Sequence, residues 1–158
     1  MNTHVTLSLT LLAAAVAGAG SLRLAGTSPV FAQGSAITVH DAWVREPVGD
    51  RMQTAAFAVV ENSGPTSRAI VGASADVAEK VELHEMKMMG PMMQMSPVKQ
   101  IEVPARGRVE LRPGSLHVML FGLKRMPVAG ETVNLTLTFD DGTTVSAAAE
   151  VRKMAGMR

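Results

Sequence analysis

What most constrains the fold of this chain is punctuation: beyond residue 36, short β-branched runs are repeatedly interrupted by Gly, Pro, Asn and Asp. Runs of that length with period-two alternation read as strands. The pattern predicts strands over Ile37–Arg45, Thr54–Glu61, Arg68–Ser74, Lys80–Met88, Met92–Val98, Arg108–Leu111, His117–Leu123, Thr132–Phe139 and Thr143–Val151. Asn62-Ser63-Gly64-Pro65 and Arg112-Pro113-Gly114 are turn signals, and Asp140-Asp141-Gly142 marks the tip of a C-terminal hairpin. Many short strands at this spacing predict an antiparallel sandwich or barrel. There is no internal repeat, no coiled-coil heptad and no sign of a second folded domain.

Ahead of these runs, Leu7 to Ala19 is an apolar segment rich in Leu and Ala, followed by Val30-Phe31-Ala32 with small residues where a signal peptidase reads them. Its length suits a secretory h-region and is too short to span a bilayer. The expectation is a signal peptide over residues 1–32, cleaved after Ala32, and one mature domain over 33–158 without a transmembrane segment. Among the charged residues only Arg23 falls in the export segment, so the mature chain carries 14 Lys and Arg against 14 Asp and Glu. That balance argues against nucleic acid, whose binding depends on clustered positive charge.

The 158 residues include no cysteine. A disulfide framework, a lipid-anchored N-terminal cysteine and a thiolate-containing blue-copper site are therefore excluded for this sequence. Methionine is abundant instead. Six of the twelve methionines, Met86, Met88, Met89, Met92, Met93 and Met95, occur within the ten residues MKMMGPMMQM. Thioether sulfur is a neutral, soft donor that selects Cu(I), and imidazole joins it readily. In an oxidising compartment thioethers do not form disulfides, although they remain open to sulfoxidation.

Strand periodicity brings histidines into the same reading. In Leu116-His117-Val118-Met119-Leu120, alternate side chains point to opposite faces, so Leu116, Val118 and Leu120 enter the core while His117 and Met119 share the other face. Their α-carbons then lie about 6.6 Å apart, which lets two side chains converge on one ion. The same alternation pairs His84 with Met86, and Met95 returns after a reversal at Gly90-Pro91. His40 lies outside this constellation and reads as structural, and Trp43 is expected to pack in the sandwich core. The remaining loop methionines read as spectators or a low-affinity entry path.

Other chemistries fit less of the chain. His84-Glu85 opens like a zinc-protease motif, but Met88 stands where the second histidine is required. A hydrolytic zinc site from Glu82, His84 and His117 would leave the methionines unexplained. A metal-free module would use the methionine-rich segment as an apolar docking surface. A copper resistance or sequestration protein would use the same ligands to retain the ion.

His84, ten residues, Met95, twenty-one residues, then His117-Val118-Met119 follow the spacing H-x10-M-x21-H-x-M. With Ala42-Trp43-Val44-Arg45, Val81-Glu82-Leu83-His84-Glu85, Pro113-Gly114 and Gly130, residues 37–151 resemble the periplasmic copper chaperone family PCuAC. The resemblance implies an all-β, cupredoxin-like antiparallel β-sandwich or Greek-key barrel holding one Cu(I) through His84, Met95, His117 and Met119. It implies a non-enzymatic role in the periplasm, delivering copper to the copper-centre subunit of cytochrome c oxidase alongside a Sco-type assembly protein. Some members carry a His/Met-rich tail associated with Cu(II). Here the tail, Arg152 to Arg158, contains no histidine.

Overall fold

The computed structural model describes residues 36–154; the export segment read over 1–32, and residues 155–158, lie outside them. All regular structure among the described residues is β: β1 (Ile37–Arg45), β2 (Gln53–Asn62), β3 (Arg68–Ala75), β4 (Ala78–Met89), β5 (Met92–Pro97), β6 (Ile101–Val103), β7 (Gly107–Leu111), β8 (His117–Leu123), β9 (Thr132–Phe139) and β10 (Thr144–Arg152). The nine expected strands are present with ends shifted by at most two residues. β6 is additional, and its three residues are too few for alternation to show in the sequence.

The strands form one continuous sheet in the order β5-β4-β8-β2-β1-β10-β9-β3-β6. β2 is shared: Gln53–Ala56 pairs with β8, and Ala58–Asn62 pairs with β7. Pairing is antiparallel except between β1 and β10, where Trp43–Arg45 runs parallel to Glu150–Arg152. Strands from both ends of this order meet in one core, with Leu83, Val118 and Leu120 in the same cluster as Ile70, Val103, Leu135 and Phe139. Burial of such side chains contributes roughly 1.5–3 kcal/mol each. The Asp140-Asp141-Gly142 turn closes the β9–β10 hairpin as expected, Phe139 N–H donating to the Thr143 carbonyl at 2.9 Å.

One irregularity decides what reaches the site. β1 begins with Ile37 and Val39 turned toward the core, but Asp41 adopts φ 51° and the register with β2 shifts between His40 and Trp43. A bulge inserts one residue and exchanges the faces beyond it. Ala42 and Val44 therefore enter the core, and Trp43 does not. The expectation of a core tryptophan is thus corrected: Trp43 is half-buried and stacks on Phe57 with ring centroids 4.4 Å apart.

Candidate metal centre

β4 and β8 are neighbours, and their register places His84 directly opposite His117 and Glu82 opposite Met119. Across the other edge of β4, Met86 stands opposite Met95. Period-two alternation therefore gathers Glu82, His84, Met86, Met95, His117 and Met119 on one face of β5-β4-β8. Rings continue along this face: His84 and His117 have centroids 5.9 Å apart, His117 lies 6.3 Å from Phe57, and His84 lies 5.9 Å from Phe121.

The face is not open to water, as simple in/out alternation suggests. Both sides of β8 are covered: Val118 and Leu120 by the core, and His117 and Met119 at 3% and 8% exposure on the other side. His84 is 8% exposed, whereas Met95 is 45% exposed. Three of the four motif residues are thus buried, with one thioether at the rim.

Hydrogen bonds fix which nitrogen of each imidazole is free. His117 Nδ1 is 2.8 Å from the Ser115 carbonyl, which can only accept, so Nδ1 carries the hydrogen and Nε2 keeps its lone pair. The same carbonyl also receives the Met86 backbone N–H at 3.2 Å, tying β4 to the start of β8. His84 Nε2 is 2.9 Å from Glu82 Oε2, so in the neutral ring Nε2–H donates and Nδ1 keeps the lone pair. His84 Nδ1 is buried and has no hydrogen-bond partner. Burying such a group unsatisfied costs about 1–3 kcal/mol, which a bound electrophile would offset.

The electrostatics favour neutral donors. Burial pushes the His117 imidazole below the ordinary histidine value, outweighing the Ser115 bond that raises it, and the neighbouring His84 lowers it further. Hydrogen bonds from His84 and then Lys80, the latter at 2.6 Å, hold the Glu82 carboxyl below the ordinary carboxylate value. Glu82 thereby stays an acceptor. A carboxylate on the far nitrogen of a histidine is the usual support for a metal-ligating imidazole, since it orients the ring and raises its basicity.

A cavity of about 630 Å³ opens on this face, and its lining includes Met95, His117 and Met119. His84 is not in the lining, although its ring adjoins His117. Met86, Met93 and Met154 also line the cavity. Alternation places Met86 there, but nothing in the sequence distinguishes Met93 from the other loop methionines, and Met154 lies beyond the last strand. Met88, Met89 and Met92 are exposed and outside the lining. Gly90, at φ 64°, and Pro91 form the two-residue turn that carries them into solvent.

His40 stands apart, as expected. It is exposed, and its bonds to Asp41 and Glu61 raise its pKa. Among the described residues no group of three or more His, Asp or Glu is placed to hold a metal. The alternative zinc reading of Glu82, His84 and His117 accordingly finds Glu82 engaged by His84 and Lys80.

Residues 37–151 match a family model described as "Putative lipoprotein LpqE-like". A protein of Leifsonia xyli subsp. xyli (strain CTCB07) named "Putative lipoprotein Lxx21020" is 36% identical over 125 residues, covering 78% of this chain and 74% of that protein. The chain belongs to the LpqE-like family. Among solved structures, apo-DR1885 from Deinococcus radiodurans is 34% identical with a TM-score of 0.60, covering all of this chain and 97% of that one. Its CuI form is 38% identical with a TM-score of 0.56, covering 74% of this chain and 78% of that one. A copper-bound PCuAC domain from PmoF2 aligns with a TM-score of 0.65 over 75% of this chain and 94% of the domain at 23% identity, a likeness of fold. The resemblance to PCuAC domains holds, and this LpqE-like protein has their cupredoxin-like β fold.

Proposed function

We propose that this LpqE-like protein binds Cu(I) as cargo through His84, Met95, His117 and Met119 and hands it to an acceptor in the bacterial envelope. The observation that carries the reading is the cross-strand pair His84 and His117. Each imidazole has one nitrogen held by a hydrogen-bond acceptor and the other without a hydrogen, beside a cavity lined with thioethers. Two neutral imidazoles and two neutral thioethers leave the ion with net charge +1 and no anionic ligand to retain it. Soft donors select Cu(I), and Met95 at the rim offers a position where an acceptor can replace one ligand at a time.

The export segment read in the sequence and the lipoprotein names of the relatives support this location. None of these 158 residues is a cysteine, so the sequence itself contains no thiol for a lipid thioether. For the acceptor we propose the copper-centre subunit of cytochrome c oxidase, with a Sco-type protein as partner. Transfer, not turnover, is the activity.

Anaerobic Cu(I) titration with X-ray absorption tests the site. One tight equivalent with mixed nitrogen and sulfur ligation is expected, and tight binding that survives unchanged in His84→Ala/His117→Ala refutes the assignment. Mixing the loaded protein with an oxidase copper-centre domain separates delivery from sequestration, because a sequestering protein keeps its copper.

A further inference from the structure

The cavity contains more soft donors than one ion uses. With His84, Met95, His117 and Met119 assigned to one Cu(I), the thioethers of Met86, Met93 and Met154 remain unassigned in the lining. We propose that these three form a second, weaker Cu(I) site of sulfur alone, through which the ion passes on its way to and from the histidines. The proposal rests on the reading that the cavity takes Cu(I).

Register supplies two of the donors. Met86 pairs with Met95 and Met88 with Met93, so Met86 and Met93 are diagonal neighbours on the same face of the β4–β5 hairpin. Diagonal positions are about 7–8 Å apart, within reach of two unbranched side chains turned toward each other. The third donor comes from a distant part of the sequence. β10 runs beside β1 as far as the Arg45–Arg152 pair, and Glu46 N–H donates to the Arg152 carbonyl at 2.9 Å. Two residues beyond that pairing, Met154 joins the lining of the cavity.

Exposure separates the rim thioethers from the imidazoles: Met93 and Met154 are 48% and 40% exposed, as Met95 is at 45%, against 3% for His117 and 8% for His84. Thioethers meet an incoming ion first, and imidazoles hold it deeper. The donor set explains why the outer site is the weaker: it offers three thioethers and no imidazole, and the lining of the cavity, Arg45 and Arg51 against Glu46, adds no net negative charge to hold the cation. No proton competes for a thioether, so the outer site has no titration of its own.

Anaerobic Cu(I) titration of the full chain against a chelator, at pH 6 and pH 7.5, tests this directly. The expected result is two steps, with the weaker one varying less than twofold between the two pH values and adding sulfur-only scattering in X-ray absorption. M86L/M93L/M154L should lose the weaker step and keep the tight one within about threefold, since Met→Leu preserves volume and apolar character. H84A/H117A should lose the tight step and keep the weaker. A single step in the parent, a weaker step that persists in the triple variant, or nitrogen in its scattering overturns the proposal. So does loss of tight binding in the triple variant, or loss of both steps in the histidine variant. Tight binding retained in H84A/H117A refutes the four-ligand reading instead.

Discussion

Glu82 is the residue whose removal separates orientation of a ligand from ligation itself. Its Oε2 lies 2.9 Å from His84 Nε2 and its Oε1 lies 2.6 Å from Lys80 Nζ, so the lysine fixes the carboxylate and the carboxylate fixes the imidazole. Glu82→Ala leaves all four proposed ligands in place but releases His84 Nε2. Removing such an outer partner typically weakens metal affinity 10–100-fold, or about 1.4–2.7 kcal/mol. Folding should change much less. The Glu82 side chain is 29% exposed and its lysine partner 69% exposed, and solvent screens ion pairs of that kind so that they add little to stability.

Two assays on one sample distinguish the terms. Chelator competition under anaerobic conditions gives the Cu(I) affinity, and urea unfolding of the apo protein gives stability. Nitrogen-15 shifts of the His84 ring supply a third readout: in the parent Nε2 should carry the hydrogen, and in Glu82→Ala that preference should weaken. Glu82→Gln, which retains an acceptor oxygen, should recover part of the loss. An affinity within twofold of the parent, in a variant shown to be folded, would refute the idea that Glu82 positions His84. A loss of several kcal/mol in stability would show that Glu82 serves the fold.

Replacing Met88, Met89 and Met92 together by Leu should leave Cu(I) affinity and the unfolding midpoint nearly unchanged, because all three are exposed and outside the cavity lining; Met95→Leu should weaken affinity in the same titration. Leu135→Ala, at a position with no exposure, should cost about 2–5 kcal/mol by urea unfolding. Apo stability should fall with acid. A histidine held below its ordinary pKa by burial binds protons more readily when unfolded, so the His117 contribution is complete above about pH 6.5 and is lost as pH falls below it; His117→Gln should flatten that part of the profile. Cu(I) affinity should fall over the same range, by up to about tenfold per pH unit for each imidazole that must lose a proton, and a pH-independent tight site would contradict ligation by two histidines.

Alternation carried most of the fold because its strands bury one face and leave turn residues between them. It failed where the backbone departs from period two. At Asp41 a single residue in the left-handed region reverses the faces of β1, and only the structure shows that Trp43 joins Phe57 instead of the core. Ile101–Val103 is short enough that two buried residues and one exposed residue leave no pattern to count. The parallel pairing of β1 with β10 joins strands separated by nearly the whole domain. Local sequence contains nothing that distinguishes it from an antiparallel neighbour.

At the site, the spacing of His84, Met95, His117 and Met119 was legible because three are separated by strand geometry and all four fit one known motif. What the sequence could not express is which surroundings each donor receives. The MKMMGPMMQM segment reads as six equivalent thioethers, yet the hairpin register sorts them: pairing of Met86 with Met95 and Met88 with Met93 puts these four on the histidine face, while Met89 and Met92 flank the turn on the other. Strand then divides the four. Met88 and Met93 face each other at the same distance from His84, yet Met93 on β5 lines the cavity with Met86 and Met95, while Met88 on β4 is 63% exposed and lies outside it. A donor's role here is set by its parity in the hairpin and by its place on the strand that carries it. A single-residue insertion near Gly90 would reverse the parity of one strand, and a methionine cluster of identical composition would then present different sulfurs to the same two histidines.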